Sequence, residues 1–376
     1  MKVLMTADTV GGVWAYALEL IATLAPHDVE VILCTMGAPV TAGQRREVAA
    51  LRNATLYDSA FRLEWMDDPW TDVYRAGDWL LRLEDDLRPD IVHLNCFALG
   101  ALPWRAPVMV VGHSCVLSWW RAVRGEDAPP TWDRYRYEVT QGLRGADLVL
   151  APSRAMLAAL ERHYGPLARA GVVYNGVEPA PFAPRAKDPF ILSAGRLWDD
   201  AKNLRALDAV APRLDWPVYV AGDTTFGTTG DPSGAEIVPA NVLCLGRLGR
   251  RHLANWYARA AIYALPARYE PFGLTALEAG LAGCALVLGA IDSLREIWGE
   301  AAILVPPDDH VALQEHLNAL VADPAARQAW GMRARRRALE YAPSRMALGY
   351  LDAYRSLVEG GRRVRATVAA GARDQR

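Results

Sequence analysis

Two glutamates eight residues apart, Glu270 and Glu278, bracket the stretch Arg268-Tyr269-Glu270-Pro271-Phe272-Gly273-Leu274-Thr275-Ala276-Leu277-Glu278-Ala279. Pro271 and Gly273 set a tight turn between an apolar strand and a helix. The backbone amides of Phe272, Gly273, Leu274 and Thr275 then point out of a helix N-terminus. Unpaired donors and the positive end of the helix dipole suit a phosphate or a sugar hydroxyl there. Carboxylates accept hydrogen bonds from vicinal hydroxyls, so Glu270 and Glu278 fit a ribose or a hexose. The spacing equally fits Glu270 as a cap and Glu278 as a helix-surface residue; on spacing alone both stand.

A second cluster is Ser193-Ala194-Gly195-Arg196-Leu197, followed by Asp199, Asp200, Lys202 and Asn203. Gly195 at a strand end permits close approach of a ligand. Arg196 and Lys202 place two positive charges at that edge, as a diphosphate requires. Lys202 is one of only three lysines, with Lys2 and Lys187, in a chain whose other basic residues are arginine. Earlier in the chain, Gly11-Gly12 opens a helix after the first strand without completing the six-residue dinucleotide fingerprint. His113 follows the apolar run Val108 to Gly112, and Ala151-Pro152-Ser153 and Tyr174-Asn175-Gly176-Val177 read as strand-end turns.

These residues need strands to carry them to one edge. Short apolar runs at Val3–Ala7, Val29–Thr35, Asp90–Leu94, Val108–Gly112 and Ala146–Leu150 alternate with helical patterns. From Glu178 to Pro189 four prolines in twelve residues interrupt the alternation. It restarts with Phe190–Ser193, Val218–Ala221, Val242–Leu245, Ala261–Leu265, Ala285–Leu288 and Ala301–Val305. Three helices, Val311–Val321, Ala325–Tyr341 and Ser344–Val358, follow. The pattern predicts two doubly wound α/β domains with parallel sheets, ligands lying at the carboxyl ends of strands. The boundaries read as residues 1–177, a linker 178–189, a second domain 190–343, and a helix 344–358 ahead of a flexible tail 359–376.

Composition narrows the classes further. The 376 residues carry 41 basic and 43 acidic side chains, and no basic excess points to nucleic acid. No apolar run is long enough to span a membrane, and Met1-Lys2 leads directly into a strand rather than a secretion signal. Five scattered cysteines, Cys34, Cys96, Cys115, Cys244 and Cys284, read as reduced, buried thiols in a cytoplasmic protein. No Asp-x-Asp triplet is present to hold a metal against a diphosphate, so no metal is expected.

Taken in order, Gly11-Gly12, His113, Pro152-Ser153, Asn175-Gly176-Val177, Gly195-Arg196-Leu197 with Lys202-Asn203, and Glu270 to Glu278 resemble the retaining, nucleotide-sugar-dependent glycosyltransferases of family four. The resemblance runs from about residue 1 to 358 and implies the GT-B fold, two Rossmann-like domains facing each other across a cleft. It implies that Arg196 and Lys202 hold the donor diphosphate and that Glu278 binds the ribose. Glu270 and the amides of Phe272, Gly273, Leu274 and Thr275 would hold the transferred sugar and its phosphate. Gly12 would approach the donor phosphates or the acceptor, with Gly11 beside it, and His113 would touch the sugar near the reacting carbon. The final helix would cross back onto the first domain. A UDP-sugar is the implied donor, with no further cofactor.

Two departures accompany the resemblance. Ser293-Leu294-Arg295-Glu296 stands where relatives carry a Gly-Gly turn, and Asp223 to Pro239 is a long polar loop that could act as a lid. The acceptor stays open. Trp119, Trp120 and Arg121, in a stretch that continues to Tyr137, could stack on a sugar, dock on an anionic membrane surface, or simply be core aromatics with solvated arginines. A nucleotide-sugar 2-epimerase or a non-catalytic nucleotide-sugar-binding protein would share the architecture. A pyridoxal-dependent phosphorylase would need a Schiff-base lysine, for which only three residues are available.

Overall fold

In the computed structural model, which describes residues 1–223 and 239–373, apolar runs form two separate parallel sheets. The first contains β1 (Lys2–Asp8), β2 (Glu30–Met36), β3 (Ala54–Asp58), β4 (Ile91–Leu94), β5 (Val108–Val111), β6 (Leu148–Ala151) and β7 (Ala170–Val172), in the order β3-β2-β1-β4-β5-β6-β7. The second contains β8 (Asp188–Ala194), β9 (Val218–Ala221), β10 (Leu243–Gly246), β11 (Ala260–Leu265), β12 (Ala285–Gly289) and β13 (Ile303–Val305), in the order β10-β9-β8-β11-β12-β13. Each strand order reverses beside the first strand of its sheet, which opens a crevice at the carboxyl ends of β1 and β8.

The central strands are apolar along their length because helices cover both faces. The two strands absent from the sequence reading, β3 and β7, lie at the edges of the first sheet. Both are partly exposed, and β7 has only three residues, Ala-Gly-Val. Neither offers the continuous apolar run by which a buried strand is recognised. Of the cysteines expected to be buried, Cys244 is exposed on β10 and Cys96 is half-buried. Residues 224–238 of the suspected lid loop lie outside the described residues.

The last helix, Pro343–Arg373, starts one residue before the expected position and continues past Val358. Its residues Met346, Ala347, Tyr350, Leu351, Tyr354 and Leu357 enter the core of the first sheet, beside Val3, Met5, Leu20 and Ile21. A polar contact fixes the docking. Tyr354 and the fully buried His93 of β4 share a 2.7 Å hydrogen bond at Nδ1, and Tyr350 stacks on the same imidazole with ring centroids 5.3 Å apart. Burial drives the His93 pKa down to about 3, so the ring is neutral and depends on hydrogen bonding alone. Tyr354→Phe strands a buried imidazole nitrogen. Loss of about 1–3 kcal/mol of stability is expected, read as a lower urea midpoint.

Candidate active site

Each candidate side chain leaves the carboxyl end of a strand. β1 ends at Asp8, and the chain turns through Gly11, at φ +102°, into the helix Gly12–Leu24. That φ favours glycine, and the turn brings the backbone against the second domain. A Cβ at Gly11 would lie 3.6 Å from Arg196 Nη1, and one at Gly12 would lie 3.8 Å from Leu274 Cδ1. The structure therefore brings Gly11, Gly12, Arg196 and Leu274 to one place, although about 180 residues or more separate the two pairs in sequence.

After β8 the chain passes through Gly195 and Arg196 into a short turn of helix, Asp200–Lys202. Arg196 Nη2 donates to Asp199 Oδ2 at 3.0 Å, and its guanidinium lies over the Trp198 ring, 5.4 Å from the centroid. Lys202 Nζ donates to Glu270 Oε2 at 2.6 Å, with both side chains mostly buried. Burial opposes the charge on Asp199, but Arg196, Lys202 and the hydrogen bonds from Trp119 and Ala201 together hold its pKa below the ordinary carboxylate value. Both cations thus have a carboxylate partner.

β11 leads into the turn that carries Glu270. Gly273 adopts φ +94°, and the helix Leu274–Leu281 starts from it without a side-chain cap. That leaves its first amides for another acceptor. Phe272 is buried against Tyr341, and Ser293 Oγ donates to the Glu270 carbonyl, so the turn is anchored on both sides. The Tyr263 hydroxyl lies 2.8 Å from Thr275 Oγ1 and 3.2 Å from the Ala194 carbonyl, tying the β8 and β11 ends together. Glu278 lies one turn into the helix. Desolvation raises its pKa to about 7, with Arg250 and Tyr257 pulling it down and Glu19 pushing it up.

His113 follows β5 and is half-buried beside Tyr16, with ring centroids 4.4 Å apart. Its Nε2 lies 2.8 Å from Asn95 Oδ1. Asn95 Nδ2 donates to the Thr6 carbonyl at 2.6 Å, which can only accept, so Oδ1 must face the histidine. Nε2 therefore carries the proton and Nδ1 holds the lone pair. Burial lowers the His113 pKa to about 3, which keeps the ring neutral.

The aromatic stretch divides. Trp119 Nε1 donates to Asp199 Oδ1 across the domains at 2.9 Å, Trp120 packs half-buried against the first core, and Arg121 is exposed, 3.9 Å from Asp127. These three residues share no single face. Among the described residues, no three His, Cys, Asp or Glu side chains gather in a way that could hold a metal ion, and no helix is long and apolar enough to cross a membrane.

A model of the family described as Glycosyltransferase Family 4 matches residues 10–180, and one of Glycosyl transferases group 1 matches residues 177–337. Together the two matches take in residues 10–337, and they support a glycosyltransferase of the family-four type. Among its relatives, glycogen synthase of Mycobacterium tuberculosis is 32% identical over 209 residues, covering 52% of this chain and 50% of the relative. The chain thus spans about half the length of that relative. D-inositol 3-phosphate glycosyltransferase of Xylanimonas cellulosilytica is 28% identical over 302 residues, covering 70% of this chain and 71% of the relative. In architecture the chain resembles sucrose-phosphate synthase from Thermosynechococcus elongatus, with TM-score 0.76, 19% identity and coverage of 96% and 100%. It also resembles Anabaena HepE, solved in complex with UDP-glucose, with TM-score 0.75, 16% identity and coverage of 95% and 100%. The GT-B fold expected from the sequence is the one observed.

Several polar residues near these strand ends are not legible as site residues in the sequence. Asp8, at the end of β1, accepts from Val10 N at 2.6 Å, and burial lifts its pKa to about 7 against the pull of that amide and of Arg196. Asn95 and Asp199 are ordinary polar residues in sequence; only position after a strand end marks them. Glu296, in the segment Ser293-Leu294-Arg295-Glu296, accepts from Arg154 N at 2.8 Å, Ala155 N at 2.9 Å and Tyr174 OH at 2.9 Å. That segment staples the two domains together.

The raised Glu278 pKa has a definite sign. The unfolded side chain ionises from about 4.5, whereas the folded one keeps its proton to about 7. The native state therefore binds more protons between these values, and stability falls as pH climbs through that window. Glu278→Gln removes the effect. The ligand-free variant should unfold at a higher urea concentration than wild type at pH 8, with that advantage shrinking towards pH 4.

Proposed function

We propose that this glycosyltransferase transfers a hexose from a UDP-sugar to an acceptor hydroxyl with retention of configuration and without a metal ion. The observation that carries the reading is convergence: Arg196, Lys202, Glu270 and the uncapped helix start at Leu274 gather opposite the Gly11–Gly12 turn. Glycine leaves room for phosphates to approach the backbone, and the cations and free amides supply the opposing charge. Glu278 accepts the ribose hydroxyls. In this reading residues 1–177 with 344–358 form the acceptor-side domain, 178–189 the linker and 190–343 the donor-side domain. HepE, which shares the fold, was solved with UDP-glucose, and this supports the choice of donor.

In the reaction the bond from the sugar's anomeric carbon to the diphosphate oxygen breaks while the acceptor oxygen bonds to that carbon from the same face. The acceptor proton passes to the departing phosphate oxygen. Charge growing on the leaving diphosphate meets Arg196, Lys202 and the amides from Phe272 to Thr275, which are already in place before the bond breaks. Neutral His113 takes part only by hydrogen bonding to the sugar. The acceptor is a small molecule, a glycan or a lipid-linked sugar.

A thermal-shift screen against UDP-, GDP-, ADP- and TDP-sugars with EDTA present tests the donor. A donor at a hundred times its dissociation constant adds about 2.7 kcal/mol of stability. Stabilisation by a UDP-hexose is expected; a hit only with another base, or only with a divalent ion added, would overturn that part of the reading. Glu278→Ala should weaken nucleotide binding by about 1–3 kcal/mol, measured by titration calorimetry. An unchanged affinity would move the ribose site elsewhere. Once an acceptor is found, the anomeric proton signals of donor and product decide between retention and inversion.

A further inference from the structure

The oxygens of Asp199 are committed on both sides of the cleft. Oδ1 accepts from Trp119 Nε1 of the first domain at 2.9 Å and from the Ala201 amide at 3.0 Å. Oδ2 accepts from Arg196 Nη2 at 3.0 Å. The Asp199 main chain closes the same loop, its amide donating to the Arg196 carbonyl and its carbonyl accepting from the Lys202 amide. The side chain is 4% exposed, so these bonds are made out of water, where they are strongest.

The geometry fixes how Arg196 presents itself. One edge of the guanidinium is held by Asp199, while Nη1 faces Gly11. A planar fork restrained along one edge has its remaining donors already aimed, so less freedom is lost when an anion arrives. Beside it Arg124 of the first domain bonds Asp200 at 2.9 Å and lies over the Trp119 ring, 5.3 Å from its centroid. The helix Val116–Arg124 therefore grips the Arg196–Lys202 loop at two successive aspartates.

We propose that Asp199 is a positioning residue for the donor diphosphate: it holds Arg196 with its free edge towards the Gly11–Gly12 turn, and Trp119 makes that hold depend on closure of the two domains. This rests on the reading of Arg196 as a diphosphate ligand. Substituting asparagine keeps the size of the side chain. Its oxygen can still accept from Trp119 and Ala201, but its amide would then meet Arg196 with donor against donor.

The test is a double-mutant cycle read by UDP binding in titration calorimetry, with EDTA present and melting temperatures recorded. Arg196→Ala should weaken UDP at least tenfold. Asp199→Asn should weaken it about fivefold in the wild-type background and less than twofold in the Arg196→Ala background. Equal losses in both backgrounds, or an unchanged affinity in the single variant, would overturn the proposal while leaving Arg196 as a ligand. If Arg196→Ala itself binds UDP normally, the diphosphate assignment fails first and takes the proposal with it. Trp119→Phe keeps the carboxylate and removes only the donor across the cleft, so it serves if Asp199→Asn does not fold. It should weaken UDP two- to fivefold, again only where Arg196 is present; an unchanged affinity would remove the dependence on closure.

Discussion

Arg196 and Lys202 are both drawn partly out of water, and a cation so placed needs a counter-charge whether or not a ligand is present. Asp199 and Glu270 supply it, at 3.0 Å and 2.6 Å. The two pairs are not equivalent. Arg196 is 38% exposed and keeps donors to spare, whereas Lys202 and Glu270 are each only 14% exposed and close on one another. In the proposed reading an arriving diphosphate would add to Arg196 but would have to share Lys202 with Glu270. That sharing would leave the Glu270 carboxylate partly released, free to accept from a sugar hydroxyl beside it. The Gly273 turn and the Ser293 bond to the Glu270 carbonyl keep the backbone fixed while this exchange takes place.

A charge arrangement spread over two domains works only if the domains meet in one way. Polar contacts at several points enforce this. Ser153 Oγ donates to the Pro271 carbonyl at 2.7 Å, the Cys115 amide donates to Tyr269 OH at 3.1 Å, and Glu296 takes the two leading amides of the helix Arg154–Tyr164. On the opposite side Arg250 reaches Glu19 at 2.6 Å, and Glu19 also accepts from the Glu178 amide at 3.1 Å. A helix N-terminus that could have bound an anion is thus filled by a carboxylate of the neighbouring domain. Such contacts hold orientation through geometry more than through stability, because a partly exposed ion pair contributes little net energy.

The parts of this molecule that were legible in sequence are those where one residue type is forced locally. The central strands announce themselves because burial on both faces demands apolar runs. The Glu270–Glu278 turn does so because a proline and a positive-φ glycine must stand within it. Edge strands β3 and β7 escaped notice because half of each faces water and no such demand applies. Asp199, Asn95 and Asp8 escaped for a different reason. Beside any local hydrogen bonds, each has a partner far along the chain, Trp119 for Asp199, Thr6 and His113 for Asn95 and Arg196 for Asp8, and nothing in the neighbouring sequence marks a carboxylate or an amide that will meet it. Trp119 shows the limit from the other side: its aromatic company suggested a binding face, whereas its indole N–H is committed to Asp199.

The same long-range logic fixes what His113 can contribute. A histidine near a reacting sugar might be taken for an acid or for a positive charge. Its surroundings oppose the second role, since burial pushes its pKa down to about 3. Asn95 restricts it further. Because the Thr6 carbonyl turns the amide nitrogen of Asn95 away, the histidine must spend its only N–H on Oδ1 and is left with a lone pair at Nδ1. His113 can therefore accept a hydrogen bond but cannot stabilise a negative oxygen. In the proposed reaction the charge of a departing diphosphate would then fall to Arg196, Lys202 and the uncapped amides after Gly273, which among the described residues gather by the Gly11–Gly12 turn with the sign to meet it.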